Sequence, residues 1–499
     1  MARQFFSARL VEGEAVVDGA ARILLGHRID LGAGQTPGGN WAEWHWDGAS
    51  LALSNDRYRG YPVYYASSDS FFAVSPSVDV LLDLGVDREL DTDAIAAFLT
   101  VGFYPGEDTA FKAIKAMPPA AKMSWRQGHL DIESDTPRRP DVGASRAEAV
   151  GALAELTRAA VRRSIPDDPE YLMPLSGGRD SRHILLELLH AGHRPARCLT
   201  AYHHANVWGG DPPYAARLCE LYDLEHTILE AGPLIPDEWR KNRVTSYAAD
   251  EHAWYGSVAA ALNGHTSHTY DGLNGSTAFV REYFTPKMQR LDRERRWDDL
   301  AANMGRRAKG QPRYAPLIAP GARSRLGADA ASARIRRELD RHAGGPEPYL
   351  AFRFWGRTVR ELNLTSTAFL PDVPAAYTPF MDPELVEFAW TVPTEHVDEH
   401  FHDDVIGVYY PEANDIPYRP RFEPTPSRTF LRQMNRHLLQ ILRRHSDGSL
   451  VDRGTLLRRA AFGAVTGDSW FAWARRAALL TYLVQLESIA LGDGPGDFG

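Results

Sequence analysis

A chain of 499 residues, 44% hydrophobic and 24% charged, has ordinary globular composition; roughly 150 residues per domain allows two to four domains and excludes a disordered or fibrous protein. A net charge of -9 spread along the chain argues against a nucleic-acid partner, and two cysteines, Cys198 and Cys219, are too few for a disulfide framework or a four-thiolate zinc site. No apolar run approaches the roughly 18 residues of a membrane span and the N-terminus lacks a signal-peptide pattern, so a cytoplasmic protein with no membrane partner is expected.

The first 130 residues hold short β-type runs. Leu51 to Ser54 alternates, Tyr61 to Ala66 and Phe71 to Val74 are aromatic and branched, and Asn55-Asp56 and Ser68-Asp69 punctuate them. Trp41, Trp44 and Trp46 interleave with polar residues and read as core and turn residues of this sheet domain. Asp91 to Leu99 predicts a short helix. Residues 131–144 are polar, contain proline and have no period of either kind, which places a domain boundary there, between 1–138 and 139–499.

Beyond it, Ser145 and Glu148 form a capping box ahead of Val150, Leu153 and Ala160 at helical spacing. Tyr171 to Leu175, Arg197 to Tyr202 and His226 to Leu229 read as strands. Between them lie a helix with Ile184, Leu185, Leu188 and Leu189 on one side, and another from Tyr214 to Tyr222 entered through Pro212-Pro213. Strands alternating with helices predict a parallel, doubly wound sheet, so the fold class is α/β and α+β. From about Pro312 helical patterns dominate, clearest in Leu431 to Arg444 and Trp470 to Leu491; the arginine-rich face of Leu431 to Leu442 reads as solvated.

Ser176-Gly177-Gly178-Arg179-Asp180-Ser181 sits where a buried strand gives way to a helix, the place where open α/β sheets bind ligands. Two glycines let backbone approach a phosphate, and a helix N-terminus supplies unpaired N–H groups and partial positive charge. Ser176 and Ser181 add hydroxyl donors, while Asp180 suits a Mg2+ ion bridging a pyrophosphate. The package suits ATP; the alternative is a glycine turn capped by Asp180 and Ser181. None of the six lysines precedes Ser or Thr, so there is no Walker loop, and Gly32-Ala33-Gly34 lacks the third glycine of a dinucleotide fingerprint. Arg179 either pairs with a phosphate or acidic substrate or points to solvent.

The loop resembles the pyrophosphate loop of the asparagine synthetase family, enzymes that cleave ATP to AMP and pyrophosphate while adenylating a carboxylate. Asn55 to Tyr65 and Leu90 to Pro119 resemble that family's N-terminal domain, and Pro379-Phe380-Met381-Asp382 resembles its C-terminal Pro-Phe-Leu-Asp signature. The resemblance implies a degenerate N-terminal-nucleophile-hydrolase-like sheet domain, then an adenine-nucleotide α-hydrolase-like parallel sheet with helical C-terminal layers. It implies an ATP-dependent ligase joining a small-molecule or peptide carboxylate to an amine or ammonia, in specialised biosynthesis, with a homodimer allowed for. In this reading Ser176, Gly177, Gly178, Asp180 and Ser181 hold Mg-pyrophosphate.

The chain also departs from the family. Glutamine-using members carry a cysteine directly after the initiator Met; here that position is Ala2, and no Asn-Gly-Glu glutamine-binding segment is found, so glutaminase activity is expected to be absent, as in β-lactam synthetases and lasso-peptide cyclases. The second loop, Tyr270 to Ser276, brings Gly272 and Gly275 to the nucleotide, but Ser276 stands where the family has its second magnesium Asp, leaving Asp271 as the substitute ligand. Leu273 replaces the family's Glu or Tyr. A lysine expected after Pro-Phe-Leu-Asp cannot exist, because the last lysine is Lys309. Arg419 and Arg421 stand near that place, either as charges neutralising phosphate or as surface arginines on a proline-rich loop. These losses keep a second reading open, a catalytically inactive nucleotide-binding pseudoenzyme of the same fold.

A base for the attacking amine is needed in the ligase reading. His203-His204, His265 and His268 lie on the nucleotide side of the sheet, although buried or solvated histidines are the commoner outcome; Asp250, Glu251 and His252 are the remaining candidates. His396, His400 and His402 with Asp403 and Asp404 have the wrong spacing for a metal cluster and are expected in an exposed loop.

Overall fold

The computed structural model describes residues 4–136, 140, 143–202, 210–281, 285–305, 314–419, 426–444 and 449–492. It is a mixed α/β structure, with antiparallel sheets in the N-terminal region and a largely helical C-terminal region.

The N-terminal strands are β1 (Phe6–Val11), β2 (Glu14–Gly19), β3 (Arg22–Gly26), β4 (Trp41–Trp46), β5 (Leu51–Asn55), β6 (Tyr64–Ser68), β7 (Phe71–Ser75), β8 (Lys115–Ala116), β9 (Ala121–Arg126) and β10 (His129–Ser134). They form two five-stranded antiparallel sheets ordered β2-β1-β7-β6-β8 and β10-β9-β5-β4-β3. Alternation makes the sandwich: Leu51, Leu53, Met123 and Trp125 point from one sheet into a core shared with Phe6, Ala8, Phe72 and Val74 of the other. Trp41 and Trp44 are buried and Trp46 is partly buried, as their pattern implied.

The polar stretch taken as a linker is partly a strand. Residues 131–134 belong to β10, which pairs with β9 across a turn where Gln127 and Gly128 take positive φ. This edge strand is mostly exposed, so it carries no inward-outward alternation for a sequence pattern to detect. The expected 138/139 boundary itself lies outside the described residues.

In the second half, β11 (Leu172–Pro174), β12 (Arg197–Tyr202) and β13 (His226–Glu230) form a parallel sheet in that order, and β14 (His268–Tyr270) pairs parallel with β15 (Ala375–Tyr377). Thr269 Oγ1 donates to the Leu172 carbonyl at 2.8 Å, linking the two sheets. Helices Arg146–Arg163 and Arg179–His190 share one core with β11, β12, β14 and the segment around Phe380 and Leu385. The first is capped as expected, with Ser145 N donating to Glu148 Oε2 at 3.0 Å. The C-terminal helix is shorter than its pattern: it runs Arg476–Ala490, because Arg475 takes a left-handed conformation that breaks it from Trp470.

A large apolar cluster joins the N-terminal helix Thr92–Val101 to helices Leu234–Val244, Arg428–Arg444 and Arg476–Ala490. Among the described residues no helix is long and apolar enough to cross a membrane.

Candidate functional site

A cavity of about 240 Å³ opens where β11 and β12 end, lined by Ser176, Asp180, Ser181, Thr200, His252 and Asp271 among others. Its floor is the loop between β11 and the helix Arg179–His190. Gly178 caps that helix in an extended conformation, putting Asp180 and Ser181 in the first turn. The hydroxyls of Ser176 and Ser181 lie 3.0 Å apart, and Ser181 Oγ also accepts the Ser176 N–H at 3.1 Å. Gly178 N donates to Ser176 Oγ at 3.2 Å, so the loop is closed on itself by its own side chains.

The second loop packs directly onto Asp180. A β-carbon on Gly272 would fall 2.6 Å from Asp180 Cβ, and one on Gly275 would fall 2.6 Å from Asp180 Oδ2. Glycine is therefore required at both positions for the two loops to meet. Asp271, at the end of β14, accepts Thr365 Oγ1 at 2.9 Å and Ser366 Oγ at 2.8 Å. Burial pushes the Asp180 carboxyl up to about 7 and the nearby Asp271 pushes the same way, against Arg179. Asp271 is also raised by burial, with the Ser366 and Thr365 hydroxyls opposing.

Two carboxylates facing one cavity without a matching cation are the donor set a divalent ion would neutralise. Among the described residues no group of three or more His, Cys, Asp or Glu is arranged to hold a metal, so an ion here would need further oxygen ligands from outside these side chains.

Several side chains lie elsewhere than expected. Arg179 neither faces the cavity nor points to solvent: Nε and Nη2 donate to Asp403 at 2.5 and 2.8 Å, and the guanidinium stacks over Tyr418. The segment after Pro393 is no exposed loop throughout. His402 is buried in the helix Phe401–Gly407, stacked 4.2 Å from Phe279, with Nδ1 3.4 Å from Asp180 Oδ1. Its apolar neighbours in the chain, Phe401 and Val405, pull that helix into the core and carry His402 with them. His396 is half-buried and His400 exposed.

Arg419 is not a surface arginine. Its N–H donates to the Gly177 carbonyl at 3.0 Å, and Nη1 donates to Asp211 Oδ2 at 3.2 Å. Arg421 and His203-His204 lie outside the described residues. His265 is exposed, and His268 is buried against Tyr171 and His193, so neither lines the cavity. Of the candidate bases, His252 lines it.

Sequence reading missed Asp211, whose Oδ1 accepts the Gly177 N–H at 2.7 Å. Its signal was available: Asp211 opens the helix that Pro212-Pro213 announce, where an acidic side chain is favoured. Thr365, Ser366, His402 and Asp403 gave no such signal, because they reach the site only through contacts some 94 to 224 residues apart in sequence.

Residues 36–134, from β4 to β10, match the family model of a glutamine amidotransferase domain. The match places an enzyme-type domain in the N-terminal sandwich, consistent with the glutamine-binding part of asparagine synthetase-like proteins. No curated protein matches the chain. The matched segment contains no cysteine, and Cys198 and Cys219 are both buried far along the chain.

Proposed function

We propose that this protein is an AMP-forming, ATP-dependent carbon-nitrogen ligase that adenylates a carboxylate and passes it to an amine or ammonia, without hydrolysing glutamine. The observation carrying this reading is the convergence of Asp180, in the first turn of a helix, and Asp271, at a strand end, on one cavity floored by Ser176 and Ser181. The ligase domain would be of the asparagine-synthetase type, doubly wound, with the amidotransferase-type sandwich retained as scaffold. No cysteine precedes Cys198 in the chain, which supports that loss of glutaminase activity.

Ser176, Ser181 and the N-terminal N–H groups of the helix Arg179–His190 would hold the pyrophosphate of ATP. Mg2+, held by Asp180 and Asp271, would screen the phosphate charge. Gly272 and Gly275 keep that pair of carboxylates in reach of each other. Arg419, anchored on Gly177 and half-neutralised by Asp211, stands beside the loop as a fixed positive charge that supports holding the departing pyrophosphate. A specialised biosynthetic role, with a small-molecule or peptide carboxylate as substrate, suits a ligase that has lost its ammonia supply.

The second reading, a nucleotide-binding pseudoenzyme, is favoured by one observation: Arg179 is engaged by Asp403 and Arg419 by Asp211, so both arginines beside the loop already have carboxylate partners. Calorimetry with Mg-ATP separates these from a non-binding scaffold. Wild type is expected to bind and Asp180→Ala to lose at least about tenfold in affinity; equal binding by the two would overturn the assignment of Asp180. Carboxylate-dependent release of AMP then distinguishes ligase from pseudoenzyme, and glutamine is expected to support no product.

A further inference from the structure

Three successive N–H groups of the loop at the cavity floor are engaged, and not by the same kind of partner. Ser176 N donates to Ser181 Oγ at 3.1 Å and Gly178 N to Ser176 Oγ at 3.2 Å, so two of them rest on the hydroxyls of the loop itself. Gly177 N differs, donating at 2.7 Å to Oδ1 of Asp211, a buried residue 34 positions further along that opens the helix Asp211–Leu221. A hydroxyl turns about its C–O bond and can give as well as accept, whereas a carboxylate only accepts.

The second oxygen of Asp211, Oδ2, accepts Arg419 Nη1 at 3.2 Å, and the Arg419 N–H in turn donates to the Gly177 carbonyl at 3.0 Å. One backbone N–H and one guanidinium thus converge on a single anionic group, the kind of donor pair that phosphate oxygens take. The fit is close: a β-carbon on Gly177 would stand 3.0 Å from Arg419 Cβ and 3.3 Å from Asp211 Oδ1. Burial pushes the Asp211 carboxyl up, while Arg419 and the Gly177 N–H act against it, so its charge is favoured by the same two donors that it occupies. Asp211 also belongs to the cavity wall, with Ser176, Asp180 and Ser181. Withdrawing its carboxylate therefore adds to the cavity the space at which the Gly177 N–H is aimed. A phosphate cannot reach that N–H while the carboxylate stays, because both are anions and both need the same donor.

We propose that Asp211 is a resident occupant of the phosphate subsite of this loop, a latch that a polyphosphate displaces as it binds, taking over the Gly177 N–H and Arg419. The inference rests on the nucleotide reading of the loop above. The exchange involves no covalent step: the carboxylate turns away about its side-chain bonds and one anion replaces another on the same two donors. While the latch is closed the loop is not competent to bind, so the apparent affinity for phosphate is the intrinsic affinity reduced by the fraction of molecules in which the latch is open. The same competition acts on release, when the carboxylate retakes the N–H from a departing pyrophosphate.

The test is a calorimetric titration of wild type, Asp211→Ala and Asp211→Asn with pyrophosphate and with ATP, each in the presence of Mg2+. Loss of the competing carboxylate is expected to tighten binding of both ligands at least about tenfold in Asp211→Ala, the reverse of what damage to the site does. Asp211→Asn keeps an oxygen for the Gly177 N–H but loses the charge, so its affinity is expected to fall between those of wild type and Asp211→Ala. It carries the test by itself if the alanine variant does not fold, since it too has to bind more tightly than wild type. Equal tightening in the two variants makes Asp211 a repelling charge rather than an occupant and overturns the inference. Unchanged or weaker binding in the variants overturns it as well and leaves the nucleotide reading standing. No binding of either ligand by any of the three proteins overturns the nucleotide reading, and the inference with it.

Discussion

Asp180 has no room to move, since Gly272 and Gly275 pack against it with no space for a β-carbon. Gly275→Ala is therefore expected to displace the carboxylate and weaken Mg-ATP binding at least about tenfold in a calorimetric titration while the protein stays folded, since overpacking costs about 1–3 kcal/mol. His27 carries a different test. Burial pulls its imidazole down to about 4, below the 6.5 of the unfolded chain. As pH falls from about 6.5 toward 4 the unfolded chain takes the proton first, so the stability contributed by neutral His27 is lost over that window. The thermal midpoint of wild type relative to His27→Gln is expected to drop as pH is lowered from 7.5 to 4.5; a constant gap would refute the burial argument. At this scale the sequence was informative where chemistry is local. Ser176, Asp180 and Ser181 were legible as a loop, whereas Arg179 was not legible as the partner of Asp403, because a guanidinium's partner depends on which helix lies opposite.

Among the elements, the helix Arg146–Arg163 shows how far local pattern reaches. Its capping box is present as read, and Ser145→Ala is expected to cost about 1 kcal/mol in a denaturant melt. Gly151, inside the same helix, has nothing within 4 Å of where a β-carbon would stand, so Gly151→Ala is expected to add roughly 0.5–1 kcal/mol. Strands β12 and β13 and the helix behind Pro212-Pro213 were equally readable, since both strands are short runs of apolar and β-branched residues and helices carry stop and start signals. Strand β10 was not, because an exposed edge strand gains its hydrogen bonds from β9 without burying a face. The helix Phe401–Gly407 was read as loop because its two acids and a histidine mask an apolar side that only the neighbouring core makes visible.

The whole molecule is held by contacts across the chain. Arg334 bridges Asp91 and Asp108 of the N-terminal region, and Arg360 donates to the carbonyls of Gly106 and Asp108, both from the helical half. Within the sandwich, Trp44 and Trp125 come from adjacent parts of one sheet and fill its core; Trp125→Ala is expected to cost about 3–5 kcal/mol, read as a lowered denaturation midpoint. By itself the sequence determined the class of composition, the two textures of the chain and the loop Ser176 to Ser181, since these rest on residue type and on spacing within a few turns. Tertiary structure alone decided that Asp271 meets Asp180, that Asp211 rather than a ligand takes the Gly177 N–H, and that His252 lines the cavity in front of Glu361. Those pairings join residues tens to hundreds of positions apart, and their energies depend on burial, which a linear pattern does not carry.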